Sequence, residues 1–348
     1  MTHKELLSRH SAWMIETDSP VVISSRVRLA RNLEDYPFPQ ALDQESAGEI
    51  EKIVAQVLTD AEGELRLRYI SLSELNSIEQ QVLIEKHLIS PGLTGATGAR
   101  GVALAEDHRY AVMVNEEDHV RIQVLLPGNQ LFETYRLSTE LDDVMEAKLD
   151  FAYRESQGYL TACPTNVGTG LRASVMVHLP GLVIIKQLQQ VLGALTRLGL
   201  DIRGLYGEGS QAWGHMFQIS NQITLGKSEE DILSHLDAVT GQIAAHELKA
   251  REVLQKQTPM FLEDKVWRAR GALLNARLLS SEDAIRLLSY DRLGIDLGLL
   301  PKIKESSTAL IVDTRSGCLQ YLLGQELDPK RLDEERARLV RNIMNDKV

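Results

Sequence analysis

Apolar and polar residues alternate along several short segments of the chain, and this pattern predicts β-strands. Residues 21–33 (VVISSRVRLARNL) are typical of an extended strand that carries three arginines. Residues 202–210 predict a strand that runs into a glycine-rich turn, and residues 214–226 predict another strand. Further β-rich runs lie close enough together to favour an antiparallel meander, at residues 102–105, 109–115 and 120–126.

Other segments carry apolar residues at helical spacing. These predict helices over residues 43–59, 71–89, 131–149, 182–195 and 228–257. Ser71 and Glu74 have the three-residue spacing of a capping box, which predicts a helix start there. The segment 182–195 is apolar enough to predict a buried helix, and the four glycines of residues 90–101 predict a flexible loop.

The composition shifts after residues 258–260, where the chain becomes leucine-rich at helical spacing. We therefore predict a larger domain over residues 1–257 and a small, mainly helical domain over residues 258–348. Within the second domain, residues 308–324 fit a strand or a helix equally well.

Composition narrows the class of protein. The 348 residues are 43% apolar and 25% charged, which is ordinary for a globular chain of about two domains. The two cysteines, Cys163 and Cys318, predict neither a disulfide framework nor a protein-ligated metal. A net charge of −11 argues against nucleic acid as a partner. We find no signal peptide and no apolar run near the roughly 20 residues that span a membrane, so we expect a cytoplasmic protein.

The segment NEEDHVR, residues 115–121, ends a β-rich run with two adjacent glutamates, an aspartate, a histidine and an arginine. A polar hairpin tip explains it as well as a functional site does. If it is a site, a carboxylate such as Glu117 would orient a cationic substrate and accept its proton.

Several arginines lie on or beside predicted strands. Arg26 and Arg28 are two residues apart and share one face of a strand, while Arg121, Arg172 and Arg203 belong to other strands. A single such arginine is usually an ordinary surface residue, but a cluster would clamp a polyphosphate. The chain has no P-loop and none of the H-R-D or D-F-G signatures of eukaryotic-type protein kinases, so arginines would have to hold any nucleotide.

Cys163 stands directly before PTNVGTG at the exit of a predicted strand. A small core residue is the ordinary interpretation. The glycines instead suggest a place where the backbone approaches a ligand, and a thiolate there could pair with a cation. Glu208 lies between two glycines, which fits a simple turn or a mobile loop that presents a carboxylate.

Taken in order, SSRVRLARN, NEEDHVR, CPTNVGTGLRASV and RGLYGEG resemble the catalytic domain of the phosphagen (guanidino) kinases. The resemblance covers roughly residues 20–255. The whole chain more closely resembles the family's bacterial protein-arginine kinases, which lack the separate N-terminal helical domain and add a C-terminal dimerisation domain. The resemblance implies an α+β fold, with an antiparallel β-sheet flanked by helices and followed by a small helical domain.

The resemblance also assigns site residues. Glu117 would be the catalytic base, Glu208 the second carboxylate that orients the guanidinium, and Cys163 the reactive thiolate near the substrate nitrogen. ATP, carried with Mg²⁺, would be bound by Ser24, Ser25, Arg26, Val27, Arg28, His87, Arg121, Arg172, Ala173, Ser174, Val175, Met176, Arg203, Gly204, Leu205, Tyr206, Gly207 and Glu208.

Two places depart from the family pattern. Protein-arginine kinases carry an R-D-x-x-R-A motif that recognises phosphoarginine allosterically. The aligned stretch here is LDEERA, in which Asp333, Arg336 and Ala337 match and Leu332 replaces the first arginine. Gln211 stands where kinases of small guanidino compounds tend to have glutamate.

The resemblance implies a kinase that transfers the γ-phosphate of ATP to arginine side chains of proteins, marking them for regulated proteolysis in a stress response. Its implied partners are an activator protein, a heat-shock repressor, an AAA+ protease and a second copy of the chain. The leucine-rich tail fits a dimer interface or an intramolecular core equally well. Two alternatives stay open: a kinase of free arginine or a similar metabolite, and a non-enzymatic module that binds phosphoarginine.

Overall fold

The computed structural model describes residues 3–95, 98–205 and 212–345. Its strands are β1 (Val22–Arg31), β2 (Arg68–Ser71), β3 (Gly101–Leu104), β4 (Tyr110–Val114), β5 (Val120–Pro127), β6 (Tyr153–Arg154), β7 (Gly158–Tyr159), β8 (Leu171–His178), β9 (Leu200–Gly204) and β10 (Met216–Asn221). Its helices are α1 (His3–Ser8), α2 (Gln44–Asp60), α3 (Ser77–Glu85), α4 (Pro91–Thr94), α5 (Leu131–Glu146), α6 (Pro180–Ile184), α7 (Leu188–Arg197), α8 (Glu229–Gln257), α9 (Pro259–Asn275), α10 (Ser281–Asp296), α11 (Ser307–Asp313), α12 (Ser316–Leu323) and α13 (Pro329–Asn345).

One large sheet organises these elements. Its strands hydrogen-bond in the order β2-β3-β4-β5-β1-β8-β10-β9, and β3 to β5 form the antiparallel meander that the sequence predicts. Strand β2, which the sequence did not predict, pairs antiparallel with β3. The pair Val114 and Val120 closes the β4–β5 hairpin, so residues 115–119 form its loop. The α+β fold class, with its antiparallel sheet, flanking helices and helical C-terminal region, is confirmed. None of the helices in the described residues is both long and apolar enough to cross a membrane.

The chain separates into two compact units. The first holds the N-terminal segment up to Trp13 with residues 25–174 and 220–237, and the second holds residues 14–24, 175–219 and the chain from Ala238 onward. The predicted domain boundary falls where α8 ends at Gln257 and α9 begins at Pro259. As a division into domains, that boundary stays a prediction.

The first unit packs helices on the meander. Strands β3, β4 and β5 are buried almost throughout, which means that both of their faces are covered. Helix α2 begins where the Asp43 side chain accepts the Ser46 N–H at 2.8 Å. It buries Ile50, Val54 and Leu58, which are spaced four residues apart on one helix face. The predicted helix over residues 43–59 is therefore confirmed to within one residue at each end.

The second unit is mainly helical and contains buried charge as well as apolar residues. One apolar cluster consists of residues from α8, α9 and α10 and the turn beyond, namely Leu254, Leu262, Val266, Leu293 and Leu300. Nearby in the chain, Arg251 is 2% exposed and pairs with Glu247 at 2.7 Å and with Asp296 at 3.1 Å. Buried charges need such partners, because an unpaired charge is costly away from water.

Two local predictions about helices are corrected. The capping box is Asn76 with Glu79 rather than Ser71 with Glu74, because residues 72–74 form a short 3₁₀ turn and α3 begins only at Ser77. The apolar run 182–195 is not one buried helix. Lys186 has a left-handed φ of 58°, which separates α6 from α7, and Leu195 is the buried residue of α7.

The remaining local predictions concern two segments. The ambiguous run 308–324 is helical, within α11 and α12. The glycine-rich run 90–101 contains the short helix α4 rather than loop alone, and Ala96 and Thr97 lie outside the described residues.

Burial of His108 makes the first unit sensitive to acid. Loss of hydration, helped by Lys86, lowers the pKa of His108 to about 4, whereas an unfolded histidine has a pKa near 6.5. Between pH 6.5 and 4 the unfolded chain therefore binds a proton that the folded chain does not, so stability falls as the pH falls through this window. At pH 5 the loss is about 2 kcal/mol. In urea titrations, His108→Asn should lose less stability between pH 7 and pH 5 than the wild type.

Asparagine suits this position because His108 has a φ of 62°, a conformation that asparagine tolerates. The exposed residue His246 supplies the control, since His246→Asn makes the same substitution at a side chain that is not buried. Equal pH slopes for wild type and His108→Asn would contradict the prediction.

Candidate active site

The loop 115–119 is held in one conformation by its own backbone and by neighbouring chain. The Asn115 N–H donates to the His119 carbonyl at 2.9 Å, and the Glu116 N–H donates to the Asp118 carbonyl at 3.1 Å. Asn115 has a left-handed φ of 55°, and its side-chain amide donates to the carbonyls of Ala47 and Ala99. The sharp turn and its external bonds fix where the glutamates point.

The two glutamates of this loop share one arginine. Arg121 Nη1 lies 2.6 Å from Glu116 Oε2, and Arg121 Nη2 lies 2.6 Å from Glu117 Oε2. The Glu116 side chain is 9% exposed and also accepts from Ser90 Oγ at 2.6 Å, whereas the Glu117 side chain is 41% exposed. Glu117 is therefore the carboxylate that a substrate in solution can reach, and Glu116 holds Arg121.

Ser90 and Gly92 begin the glycine-rich run and surround Glu116. A Cβ atom at Gly92 would lie 3.1 Å from Glu116 Oε1, so this glycine leaves room for the carboxylate. Sequence reasoning assigned Ser90 no role, because a contact across 26 residues of chain leaves no local signal.

Four arginines meet on three neighbouring strands, β5, β1 and β8. Arg26 and Arg28 are the two partly buried residues of an otherwise buried β1, which shows that they share the face opposite Val27. Arg121 follows on β5 and Arg172 on β8. The Arg26 Nε donates to Ser174 Oγ at 3.3 Å, and the Arg172 Nη2 donates to Ser220 Oγ at 2.9 Å.

These positive charges perturb one another. Loss of hydration and repulsion from Arg172 and Arg121 lower the pKa of Arg26 to about 10. Loss of hydration, followed by repulsion from Arg26, also lowers the pKa of Arg28 well below its usual value, although Glu116 opposes the shift. Among the described residues, the buried Arg28 Nε finds no hydrogen-bond partner. A cluster that is repulsive by itself and contains an orphan donor is suited to a polyanion.

The cluster suits a polyphosphate, which can carry Mg²⁺ on its own oxygens. The residues that the structure describes contain no group of three or more histidine, cysteine, aspartate or glutamate side chains placed to hold a metal ion. Mg²⁺ in nucleotide sites keeps several waters and binds phosphate oxygens, so it needs few protein ligands. The guanidinium groups of Arg26, Arg28 and Arg172 are matched to phosphate rather than to a cation.

Cys163 is half-buried at the start of a 3₁₀ turn over Pro164–Asn166. Its Sγ lies 3.0 Å from Thr165 Oγ1. Its carbonyl accepts from Thr161 Oγ1 at 2.8 Å and from the Asn166 N–H at 3.0 Å. The thiol is thus held on a short, well-bonded segment and is not a core residue.

The second glycine after Cys163, Gly170, has a different cause from the one that the sequence suggested. Gly170 has a φ of 66°, and a Cβ there would lie 2.6 Å from Arg31 Nη1 and 2.7 Å from the Ala30 carbonyl. Close packing on the end of β1, rather than approach to a ligand, therefore accounts for this glycine.

Other predicted nucleotide-binding residues of the first unit have structural partners. Ser25 Oγ donates to the Gly128 carbonyl at 2.9 Å and accepts the Gln130 N–H at 3.0 Å. Ala173 is fully buried on β8. His87 has a φ of 59°, packs its ring 5.2 Å from that of Trp13, and accepts a side-chain bond from Gln123 at its carbonyl. These residues shape the strands around the arginines.

The remaining predicted nucleotide-binding residues belong to the second unit. Ser24, Val175 and Met176 are buried there. The Arg203 side chain is 70% exposed and pairs with Asp201 at 2.9 Å. Gly204 ends β9, and the Leu205 N–H donates to the Met216 carbonyl at 3.0 Å. Tyr206, Gly207, Glu208 and Gln211 lie outside the described residues.

The C-terminal motif is built into the helical core. Arg336 is 1% exposed and donates to the Thr314 carbonyl at 2.6 Å, to the Leu279 carbonyl at 2.7 Å and to Asp333 Oδ1 at 2.5 Å. Leu332 and Ala337 on the same helix are also buried. The guanidinium of Arg336 thus links α13 to the backbone at Leu279 and at Thr314.

Comparison with known proteins adds sequence and fold evidence. Residues 49–250 match the family model "ATP:guanido phosphotransferase, C-terminal catalytic domain". Residues 259–347 match the model "Protein-arginine kinase McsB C-terminal domain". The protein-arginine kinase of Moorella thermoacetica is 48% identical over 97% of this chain and 98% of its own length.

Solved structures share the fold. The crystal structure of lombricine kinase aligns with a TM-score of 0.59 and 26% identity over 72% of this chain and 70% of that chain. The duplicated taurocyamine kinase from Schistosoma mansoni, with bound transition-state analogue components, aligns with a TM-score of 0.61 and 24% identity. That alignment covers 74% of this chain and 39% of the duplicated kinase.

Proposed function

The chain belongs to the protein-arginine kinases of the ATP:guanido phosphotransferase family, and from this membership we propose that it transfers the γ-phosphate of ATP to arginine side chains of proteins. The membership confirms the resemblance carried by the four sequence motifs. The observation that carries the proposal is the arginine cluster on β5, β1 and β8 beside the accessible carboxylate of Glu117. Such a cluster suits a triphosphate, and the carboxylate suits a guanidinium.

The chemistry explains why a carboxylate is needed. A free arginine side chain stays protonated far above neutral pH, so its neutral, nucleophilic form costs about 9 kcal/mol to populate at pH 7. A carboxylate cannot remove that proton in advance. It can accept the proton while the N–P bond forms and the bond between the γ-phosphorus and ADP breaks, and this is the role that we assign to Glu117.

The other side chains would position the reactants. Cys163, as a thiolate, and Glu208 would hold the planar guanidinium so that one nitrogen points at the γ-phosphorus. Alignment of this kind contributes about 7–11 kcal/mol at best. Arg26, Arg28 and Arg172 would stabilise the charge of the transferring phosphoryl group. Bound Mg²⁺ would supply further neutralisation of phosphate charge.

We further propose that LDEERA senses phosphoarginine. The support is the match of Asp333, Arg336 and Ala337 to the family motif. Because Arg336 already donates to Asp333, a phosphoarginine at this place would compete with that carboxylate for the guanidinium. Such competition would couple ligand binding to the packing of α13.

The cellular role that we propose rests on kinship with the protein-arginine kinases. The enzyme would be a cytoplasmic homodimer that marks proteins for regulated proteolysis under stress. It would work with an activator protein, a heat-shock repressor and an AAA+ protease that accepts arginine-phosphorylated substrates.

The decisive experiment compares two acceptors. The wild-type enzyme is incubated with labelled ATP and Mg²⁺, with either an unfolded arginine-rich protein or free L-arginine. We expect label on the protein, and we expect acid to remove it, because an N–P bond hydrolyses in acid where a serine phosphate survives. Glu117→Ala should lose this label.

The other outcomes separate the alternatives. Label on free arginine alone would make the enzyme a metabolite kinase and would contradict the proposal. Absence of ATP consumption with either acceptor would leave a phosphoarginine-binding module. Acid-stable label would show transfer to a hydroxyl group, which would also contradict the proposal.

A further inference from the structure

Asp118 joins the two segments that carry the proposed base and the proposed thiol. It is the residue after Glu117 and is fully buried. Its Oδ1 accepts the Ala162 backbone N–H at 2.7 Å, and Ala162 is the residue before Cys163. A single carboxylate oxygen therefore connects the backbone beside Glu117 to the backbone beside Cys163.

Asn32 completes this connection at the end of β1. Its Nδ2 donates to the same Asp118 Oδ1 at 2.7 Å and to the Leu160 carbonyl at 3.0 Å. Its Oδ1 accepts the His119 N–H at 2.9 Å. Asn32 is 1% exposed and directly follows the strand that carries Arg26 and Arg28. Two buried side chains, Asn32 and Asp118, thus join three parts of the chain. These are strand β1, the base loop (residues 115–119) and the thiol segment (residues 160–163).

The surrounding bonds leave each joined segment little freedom of its own. The Leu160 N–H donates to the Ala152 carbonyl at 2.9 Å, and Thr161 Oγ1 donates to the Cys163 carbonyl at 2.8 Å. On the base loop, His119 Nδ1 accepts the Leu33 N–H at 3.0 Å, so its Nε2 carries the proton and donates to the Pro37 carbonyl. A shift in the bond between Asp118 and Ala162 would therefore move whole segments rather than one side chain.

We propose that Asp118 is a positioning residue that sets the distance between the Glu117 carboxylate and the Cys163 thiol. This distance determines where the substrate guanidinium binds. The proposal rests on the proposed function, because it takes both groups to face that guanidinium. A planar cation held from two sides tolerates little change in their separation, and a misplacement of about 1 Å can cost on the order of 100-fold in rate.

The test compares Asp118→Ala with Asp118→Asn. Alanine removes the acceptor, whereas asparagine keeps an oxygen that can accept from Asn32 and Ala162. We expect Asp118→Ala to lower kcat for protein arginine phosphorylation at least tenfold per folded molecule, with KM for ATP within twofold of wild type. Asp118→Asn should restore most of the lost kcat. If Asp118→Ala does not fold, Asp118→Ser replaces it, since serine keeps a hydroxyl on a shorter side chain.

Asp142 supplies the matched control. It is another buried aspartate of the first unit and pairs with Arg31 at 2.5 Å. Asp142→Ala should lower the urea midpoint but leave kcat per folded molecule within twofold. Equal kcat losses for the two alanine variants, or an Asp118→Asn variant as impaired as Asp118→Ala, would overturn the proposal.

A second measurement does not depend on activity. Hydrogen exchange at the Ala162 amide should speed up in Asp118→Ala and stay slow in Asp118→Asn. An unchanged exchange rate would show that the hydrogen bond between the Ala162 amide and Asp118 is not maintained in solution, and this would overturn the proposal. Failure of the proposed function would look different, because the wild-type enzyme itself would then form no phosphoarginine while the exchange difference persisted.

Discussion

Replacement of Glu117 by glutamine will lower kcat for protein arginine phosphorylation by about 10²–10⁴-fold, the range that general base catalysis contributes. Glutamine has the same shape, and its carbonyl oxygen can still accept from Arg121. It cannot accept the proton that leaves the guanidinium as the N–P bond forms. Rapid-quench measurement of acid-labile phosphate on protein reports the rate of the chemical step, and calorimetry reports the affinity for ATP. Together they will separate a loss of catalysis from a loss of ATP binding. ATP affinity should change by less than threefold.

Glu133 provides a closely matched control. Its side chain is 44% exposed, against 41% for Glu117, and each carboxylate lies 2.6 Å from an arginine Nη atom. Glu133→Gln therefore removes the same charge in the same kind of ion pair, on helix α5. We expect kcat within twofold of wild type. A Glu117→Gln enzyme that kept a tenth of wild-type kcat would show that this carboxylate is not the base.

Replacement of Arg28 by methionine should have opposite effects on stability and on nucleotide binding. Arg28 lies among three other guanidinium groups, and its Nε has no hydrogen-bond partner among the described residues. An apolar side chain of similar length removes both the repulsion and the unsatisfied donor, so the nucleotide-free protein should melt about 1–2 °C higher, as for a gain near 1 kcal/mol in a chain of 348 residues. The same change should weaken ATP binding at least 100-fold, because the bidentate phosphate contact that we propose for Arg28 would be lost.

Thermal melts with and without nucleotide check both effects at once. At ATP concentrations 100-fold above Kd, the wild type gains about 2.7 kcal/mol of stability from the ligand, whereas Arg28→Met should gain almost none. Arg68 on β2 is exposed and serves as the control, since Arg68→Met should keep the full gain. A variant that melts below wild type in the absence of ATP would contradict the interpretation that the cluster is repulsive.

The sequence predicted those features that depend on local spacing. The meander, helix α2 and the shared face of Arg26 and Arg28 all follow from periodicity of two or 3.6 residues, and the structure confirms them. The start of α3 was missed because several residues near Ser71 have capping side chains, and only packing decides between them. Asn76 forms the box with Glu79.

Contacts between distant segments could not be predicted from local spacing. The bond from Asn32 to Asp118 spans 86 residues, and the bond from Ala162 to Asp118 spans 44. Asn32 lies in the motif SSRVRLARN and Asp118 in NEEDHVR, yet the spacing of residues within these motifs does not indicate that the two side chains meet. Helix α7 shows a different error, in which local spacing predicted burial that the structure does not have. Its apolar residues suggested burial, but they line a cavity of about 250 Å³ with Val239 and Ile243 of α8 instead of filling a core.

The order of strands in the sheet also determines when a nucleotide site can exist during synthesis of the chain. Strand β1 leaves the ribosome first, yet its sheet neighbours are β5 and β8. The bond from Arg26 to Ser174 joins residues 148 positions apart. Pairing over such distances is slow, because chain entropy is lost before the contact forms. Newly made enzyme should therefore acquire ATP affinity in one late step, after β8 has emerged, and chains that stop earlier should be inert toward both nucleotide and substrate.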